Sequence, residues 1–185
     1  MKLICFSNCI LAVLLTVGLG GPAMATNETA ASTASATLTE TQKARSVRIN
    51  KAFNEFNITQ MSLLDGFYDV DIEFIDPVHK LNGMESLKKY YADMYKNVQS
   101  IRFDFTSETV QGDTHVMTWV MHLSASGLNG GKPVAVDGTS ILKFNPATDK
   151  VIYHRDYLDM GQFIYEHIPV LGSVIRYIKG KMAGH

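Results

Sequence analysis

Between residues 39 and 99, apolar residues recur mostly at three- and four-residue spacing, with one alternating run at residues 70–76, whereas between residues 100 and 159 they alternate with polar residues. The first pattern predicts helices and the second predicts strands. A first helix of about 17 residues should begin at Thr39, where Gln42 can complete a capping box. Its inward-facing stripe consists of Ala44, Ile49, Ala52, Phe53 and Phe56.

Two further helices are predicted before residue 100. A short one should run from Thr59 to Asp65, and Gly66 should end it. Another should follow, with Asn82-Gly83 and then Glu85 as its capping signal. Its inner stripe consists of Met84, Leu87, Tyr91 and Met94.

From Ser100 onward, alternation interrupted by turn residues predicts four strands in an antiparallel meander. In the strand of residues 115–123, the more apolar face should point to the core, and His122 should lie on the surface. That apolar face carries Met117, Trp119, Met121 and Leu123. Helices followed by a meander predict the α+β class.

The last predicted strand, residues 151–159, places Ile152, His154, Asp156 and Leu158 on one face, because side chains alternate across a strand. Ionisable groups between aliphatic ones are typical of a binding pocket. A solvated edge face is the alternative interpretation. His154 and Asp156 can form an acid–base pair, or a hydrogen-bonded pair that fills the mouth of a pocket.

An earlier predicted strand, residues 70–76, ends at Asp76-Pro77 and places Asp76 on the same face as Val70, Ile72 and Phe74. In an apolar pocket, burial would disfavour the ionised form of Asp76 and leave a carboxyl able to take or give a proton. The alternative is that Asp76 caps the third helix or the Pro77 turn.

The composition narrows the class of protein. The chain has 185 residues, of which 46% are hydrophobic, and this is enough for one domain with a sizeable core. The formal net charge of −1 argues against nucleic-acid binding, which needs a concentrated basic surface. Cys5 and Cys9 are the two cysteines, so a chain without residues 1–25 could form no disulfide and no cysteine-ligated metal site.

Residues 1–25 match a secretory signal peptide, with Lys2, a short apolar run at residues 11–17, and Ala23-Met24-Ala25 before the expected cleavage site. A membrane-spanning helix is the alternative, but glycine and proline interrupt the run. We therefore expect export to the periplasm or the medium. Residues 26–38 should form a disordered spacer, residues 39–160 the domain, and residues 161–185 an amphipathic helical tail.

The order of helix, short helix, strand, helix and meander resembles the nuclear transport factor 2-like superfamily, in particular its SnoaL-like polyketide-cyclase branch, over residues 40–165. Ile75-Asp76-Pro77-Val78 resembles the segment that bears the general base of ketosteroid isomerases. The run from His154 to Asp159 is similar to the Trp-Arg-Asp-Tyr-Phe-Asp run of limonene-epoxide hydrolases, whose first Asp is catalytic. The resemblance implies a cone-shaped curved sheet around a pocket that the first helix plugs, and it implies a dimer.

Both related mechanisms also use residues that this chain does not have. Ketosteroid isomerases use a phenol and a second carboxylic acid to donate hydrogen bonds to the developing oxyanion, and the comparable positions here hold Phe53 and Ser140. The epoxide hydrolases use an Arg-x-Asp pair where this chain has Trp119-Val120-Met121.

The expected site has Asp76, His154 and Asp156 as candidate catalytic residues. The candidate ligand-binding residues are Phe53, Phe74, His79, Tyr91, Met117, Trp119, Met121, Ser140 and Leu158. His79 can equally be an exposed loop histidine, and Trp119 can be core packing. We expect no cofactor, and no metal site because the histidines lack His-x-His or His-x-x-x-His spacing.

Two classes of function fit this pattern. The favoured one is an exported module that binds a small hydrophobic molecule. The alternative is a cofactor-independent isomerase, cyclase or hydrolase in which His154 and Asp156 are acid and base and Asp76 is a second acid–base group or an orienting group. A homodimer is expected through the outer face of the sheet, which carries Val116, Thr118, Val120 and His122.

The tail has its own pattern, in which an apolar stripe is followed by a cluster of basic residues. The stripe consists of Ile164, Ile168, Leu171, Val174, Ile175 and Ile178, and the basic residues are Arg176, Lys179 and Lys181. One interpretation is a lid over the open end of the cone, bent at Pro169 and Gly172. The other is peripheral attachment to an anionic membrane.

Overall fold

The structure is a computed structural model that describes residues 37–56 and 60–184. The predicted signal peptide and most of the predicted spacer lie outside the described residues, so both stay predictions.

The described residues contain α-helices, β-strands and two short 3₁₀ helices. In chain order they are α1 (Glu40–Glu55), α2 (Leu63–Phe67), β1 (Tyr68–Ile75), β2 (Lys80–Asn82), α3 (Met84–Tyr95), β3 (Val98–Gln111), β4 (Thr114–Ala125), a 3₁₀ helix (Asn129–Gly131), β5 (Val134–Phe144), β6 (Val151–Leu158), α4 (Met160–Phe163), a second 3₁₀ helix (Tyr165–His167) and α5 (Pro169–Met182). No helix among these residues is long and apolar enough to cross a membrane.

The six strands form one curved, unclosed sheet in the order β2-β1-β6-β5-β4-β3. The strands from β3 to β6 are the predicted antiparallel meander, and the α+β class is confirmed. β1 pairs with β6 in parallel, and β2 is an edge strand that the pattern did not predict. The parallel pairing brings the end of β1 beside His154, because Phe74 and His154 are direct partners across the two strands.

Helix α1 begins as the sequence predicts, with a capping box between Thr39 and Gln42. Its inward stripe is partly different, since Ala44 is exposed whereas Arg45 is 4% exposed. The core between the helices and the sheet is formed by apolar side chains from α1, α2, α3 and the strands. Its most buried members include Ile49, Leu64, Ile72, Leu87, Val136, Leu142 and Val151.

The predicted end of the second helix is wrong. Helix α2 continues through Gly66 to Phe67, whose ring packs 5.7 Å from Phe56, so burial of that ring outweighs the tendency of glycine to end a helix. The predicted start at Thr59 lies outside the described residues. Of the predicted Asn82-Gly83 cap, Gly83 is the N-cap of α3, whereas Asn82 belongs to β2.

Two further predictions are wrong, one about the strand face on which Val70 lies and one about the place where the tail bends. Val70 is 69% exposed, because the pairing of β1 with β6 shifts register between Tyr68 and Glu73. The tail does not bend at Pro169 and Gly172. Pro169 is instead the first residue of α5, where its missing N–H costs no helical hydrogen bond, and the break is the 3₁₀ helix before it.

Candidate functional site

A cavity opens between the concave face of the sheet, α1, α3 and α4. It has about 800 Å³ of empty space, including its open mouth. Most of its wall is aromatic or aliphatic, and its carboxylates and imidazole come from Asp76, His154 and Asp156. The apolar rings of the wall belong to Phe53, Phe56, Phe74, Phe103, Trp119 and Phe163.

His154 is 1% exposed and lies at the centre of a hydrogen-bonded chain. Its Nε2 is 2.9 Å from Oδ1 of Asp156, and its Nδ1 is 2.7 Å from the hydroxyl of Tyr68. With Asp156 ionised, Nε2–H donates to the carboxylate and Nδ1 accepts from the Tyr68 hydroxyl. The rings of Phe53 and Phe74 lie 5.5 and 5.0 Å from the imidazole, which fixes its plane.

Asp156 is oriented from beneath by buried donors. The Trp119 Nε1–H donates to Ser140 Oγ at 2.8 Å, and the Ser140 hydroxyl donates to Asp156 Oδ1 at 2.5 Å. Within residues 37–56 and 60–184, the hydrogen bonds to the Asp156 carboxylate come from Ser140 and His154, and both go to Oδ1. Because the side chain is 17% exposed, Oδ2 is the oxygen left for a ligand in the cavity.

The Trp119 ring lies so close to β5 that position 138 has no room for a side chain. A Cβ added to Gly138, its partner on β5, would lie 2.1 Å from the Trp119 ring. Glycine at position 138 therefore lets the indole lie flat against β5, where its N–H reaches Ser140.

Four tyrosines also line the cavity, namely Tyr68, Tyr90, Tyr91 and Tyr95. Burial raises the pKa of Tyr68, Tyr90 and Tyr91 well above the ordinary tyrosine value, and it raises the pKa of Tyr95 to about 12. All four are therefore neutral phenols at physiological pH, which can donate hydrogen bonds but cannot act as bases.

The tyrosines differ in how far their hydroxyls are already used. Tyr68 and Tyr91 are 3.3 Å apart at their hydroxyls, and Tyr90 donates to Asp76 at 2.7 Å. The Tyr95 hydroxyl has no hydrogen-bond partner in the described part of the chain, so it can still donate a hydrogen bond.

Asp76 is held in a turn at the end of β1. Its Oδ1 accepts from the backbone N–H of Val78 at 2.7 Å and of His79 at 2.6 Å, and its Oδ2 accepts from Tyr90. Burial alone would raise the pKa of Asp76, but these hydrogen bonds outweigh it and lower the pKa below its ordinary value. The expected upward shift of this pKa is therefore wrong.

The cavity brings together most of the residues that the sequence proposed. Besides Asp76, His154 and Asp156, those that line it are Phe53, Phe74, Tyr91, Trp119, Met121 and Leu158. Met117 and Ser140 are buried behind the wall, and the His79 side chain is 46% exposed outside it. The catalytic and ligand-binding roles of all these residues stay predictions.

Tyr68, Tyr90, Tyr95 and the α4 residues Met160 and Phe163 line the cavity although the sequence did not single them out. A signal for two of them was present, since Tyr90 and Tyr95 flank the predicted inner stripe of α3 at helical spacing. Tyr68 had none, because it precedes the register shift in β1. Within the described ranges, no cluster of three or more His, Cys, Asp or Glu side chains could hold a metal ion.

The family model of the SnoaL-like domain matches residues 47–154, which is more than half of the chain. The chain belongs to the SnoaL-like domain family. The matched span includes residues 47–55 of α1, the strands β1 to β5 and the first half of β6, and it ends at His154. Asp156 and the tail of this SnoaL-like domain protein lie beyond it. No curated protein sequence matches the chain.

Solved structures share the fold of this SnoaL-like domain. A SnoaL-like polyketide-cyclase-type protein from Shewanella denitrificans OS-217 is 24% identical, with a TM-score of 0.57 over 65% of this chain and 91% of that one. A similar protein from Shewanella putrefaciens CN-32 is 22% identical, with a TM-score of 0.58 over 68% and 94% of the two chains. A protein with a ketosteroid isomerase-like fold from Catenulispora acidiphila DSM 44928, solved with trimethylamine, is 16% identical, with a TM-score of 0.55 over 64% and 88%.

At these identities, the likeness establishes the nuclear transport factor 2-like fold and not a shared reaction. The family and the fold together support a ligand-binding or isomerase-type domain.

Proposed function

We propose that this SnoaL-like domain binds a small, mainly hydrophobic molecule in the cavity between the sheet, α1, α3 and α4. The observation that carries the proposal is the contrast within the wall. Aromatic and aliphatic side chains surround a few polar atoms, and such a wall recognises an apolar body with a few polar groups.

The polar atoms define the kind of group that the ligand should carry. Asp156 Oδ2 accepts hydrogen bonds, and the Tyr95 hydroxyl donates them. A cyclic apolar molecule with a hydroxyl or N–H group at one position and a carbonyl at another would satisfy both. The empty volume of about 800 Å³ includes the open mouth, so it sets an upper limit on the ligand.

The single tryptophan of the chain gives a direct test, because Trp119 lines the cavity. Titration with 2-naphthol, an apolar ring system with one hydroxyl, should quench the Trp119 fluorescence. Asp156→Asn should weaken binding about tenfold, since an amide replaces a charged acceptor. Leu158→Phe should also weaken binding by filling the cavity.

The matched control is Asp104→Asn, which changes a carboxylate on the exposed surface of β3 that pairs with His122. It should leave the titration unchanged. If neither 2-naphthol nor the related ketone 2-tetralone changes the fluorescence, or if native mass spectrometry finds no apolar molecule bound to the purified protein, the proposal loses its support.

A second candidate function is proton transfer, as in an isomerase, a cyclase or a hydrolase. The observation that favours it is the His154–Asp156 pair, in which the imidazole and Ser140 hold one carboxylate oxygen and leave the other free. Asp156 would accept a proton from a C–H next to a carbonyl, and the neutral Tyr95 would donate a hydrogen bond to the oxygen that becomes negative.

Exchange of the protons next to the carbonyl of 2-tetralone in deuterium oxide, followed by NMR, tests this step. Asp156→Asn should slow the exchange at least about a hundredfold while the ketone still binds. Equal exchange rates in the two proteins would remove the catalytic proposal and leave the binding proposal standing.

We also propose that the domain works outside the cytoplasm, on the basis of the signal-like pattern of residues 1–25. N-terminal sequencing of the protein recovered from the periplasm or the medium should begin at Thr26. Recovery of the unprocessed chain from the cytoplasm alone would contradict export.

A further inference from the structure

Helix α5 turns its apolar side away from the domain. Val170 is 78% exposed, Tyr177 67% and Met182 84%. With 100° between successive residues, the apolar side chains fall within about 140° of the helix circumference. The members of this apolar arc are Val170, Leu171, Val174, Tyr177, Ile178 and Met182.

The opposite side of α5 contacts the 3₁₀ helix that directly precedes it, through Glu166. A Cβ on Gly172 would lie 2.2 Å from the carbonyl oxygen of Glu166, so only glycine allows this approach. Arg176 Nη1 donates to the same oxygen at 3.0 Å, and Lys179 Nζ lies 2.5 Å from the Glu166 carboxylate. A helix that packs on its own core would bury the apolar side, whereas α5 leaves that side exposed and contacts Glu166 through a small residue and two charged ones.

The charge of α5 has one sign. Arg176, Lys179 and Lys181 are its ionisable cations, and Pro169–Met182 contains no Asp or Glu, although the whole chain has 17 basic and 18 acidic residues. Lys181 falls within the apolar arc, and its Nζ lies 5.7 Å from the centre of the exposed Tyr177 ring. A lysine there can extend its stem along apolar surface and keep its ammonium in water.

The apolar arc and the positive charge of α5 distinguish between two possible binding partners of the arc, which are a second copy of the chain and an anionic bilayer. A second copy that packed α5 against α5 would bring like charges together, because a twofold contact pairs the same surface with itself. An anionic bilayer offers an apolar layer for the arc and negative headgroups for Lys181, which lies within the arc, whereas Arg176 and Lys179 lie on the opposite side with Glu166. We propose that α5 lies in the surface of an anionic phospholipid bilayer and attaches the domain to it peripherally.

Co-sedimentation of the full chain with vesicles tests the proposal. The chain should bind vesicles of mixed phosphatidylglycerol and phosphatidylcholine, bind phosphatidylcholine alone much more weakly, and lose affinity as salt is added. Val174→Asp should weaken binding at least about tenfold, because it places a carboxylate in the apolar arc. Lys181→Glu should weaken binding about tenfold without touching the contacts with Glu166.

The matched control is Val47→Asp on α1, since Val47 is a valine that is 68% exposed on a helix but lies outside the apolar arc. It should bind as the unaltered chain does. Hydrogen exchange on the unaltered chain avoids substitutions altogether, and anionic vesicles should slow exchange in residues 169–182.

Three results would overturn the proposal. The first is an absence of binding to anionic vesicles. The second is binding that Val174→Asp and Lys181→Glu leave unchanged, with slowed exchange confined to residues 1–25, because the N-terminal apolar run would then be the membrane contact. The third is a dimer that either α5 variant dissociates, because the arc would then belong to a second copy.

Discussion

A carboxylate can line a cavity and still be unavailable to a ligand, and Asp76 is an example. It lines the cavity, yet its oxygens already accept hydrogen bonds from two backbone N–H groups and from Tyr90. A carboxylate used in this way stabilises the turn at Pro77, which is the capping role that the sequence left open. Asp156 is the contrasting case, since its Oδ2 is not used by the described residues.

We predict that Asp76→Asn lowers the free energy of unfolding by about 2 kcal/mol at neutral pH, because hydrogen bonds to a charged acceptor are lost. The pKa of Asp76 is lowered from 3.8 in the fold, so its ionised form adds stability above that pH. This contribution disappears as the pH falls through the lowered pKa. Urea unfolding should therefore show the difference between the proteins at pH 7 and a smaller one below about pH 4.

Tyr90→Phe is the matched variant, because it keeps the carboxylate and removes one donor. It should show a smaller loss of stability in the same direction. If Asp76→Asn unfolds like the unaltered chain but no longer binds ligand, Asp76 belongs to the binding machinery and not to the turn.

At the scale of single residues, the alternation of side chains along a strand was sufficient to place His154, Asp156 and Leu158 on the cavity side of β6. A strand has only two faces, and the aliphatic neighbours identify the inner one. It could not show that Ser140 and Trp119 orient Asp156 from beneath. That arrangement depends on the pairing of β4 with β5 and of β5 with β6. It also depends on the space that Gly138 leaves for the indole.

Between elements, Arg45 joins α1 to two turns of the sheet. It donates to Asp113 at 2.7 Å in the turn between β3 and β4, and to Asp149 at 2.6 Å in the turn between β5 and β6. Its guanidinium carbon also lies 4.6 Å from the centre of the Phe144 ring. Because the side chain is buried, these contacts hold α1 across the sheet that forms the cavity.

We predict that Arg45→Met destabilises the domain by about 2 kcal/mol, since it leaves two carboxylates without their buried partner. Arg48→Met is the control. Arg48 also pairs with Asp149 but is 37% exposed, so its loss should cost less than about 1 kcal/mol. Thermal unfolding followed by circular dichroism measures both. Equal effects of the two variants would mean that burial of Arg45 adds nothing.

Element positions were predictable where a local rule decides them. The capping box at Thr39 is such a rule, and α1 begins there. Arg45 was not predicted as buried, because its partners lie 68 and 104 residues away in the sequence. Strand β2 is three residues long and shows no alternation that a pattern could reveal.

For the whole molecule, the sheet has a concave face that lines the cavity and an outer face that the described helices do not bury. The sequence predicted the two faces of β4, with Met117, Trp119 and Met121 inward and Thr118 outward, and burial agrees. The homodimer that the sequence predicts through the outer face stays a prediction, because polar and apolar residues mix there. Val120 and the 47% exposed Tyr157 lie among the hydroxyls of Thr106, Thr118 and Thr139 along a shallow groove.

We predict that this outer face forms a homodimer, because a twisted sheet with a mixed surface can pack against its symmetry mate while the cavities remain open on the opposite faces. Light scattering at micromolar concentration should give twice the mass of the chain. Val120→Glu should shift the protein to monomer, since two glutamates would meet near the twofold axis, whereas Val47→Glu on α1 should not. A monomeric unaltered chain would contradict the prediction. A dimer that survives Val120→Glu would place the contact elsewhere on the molecule.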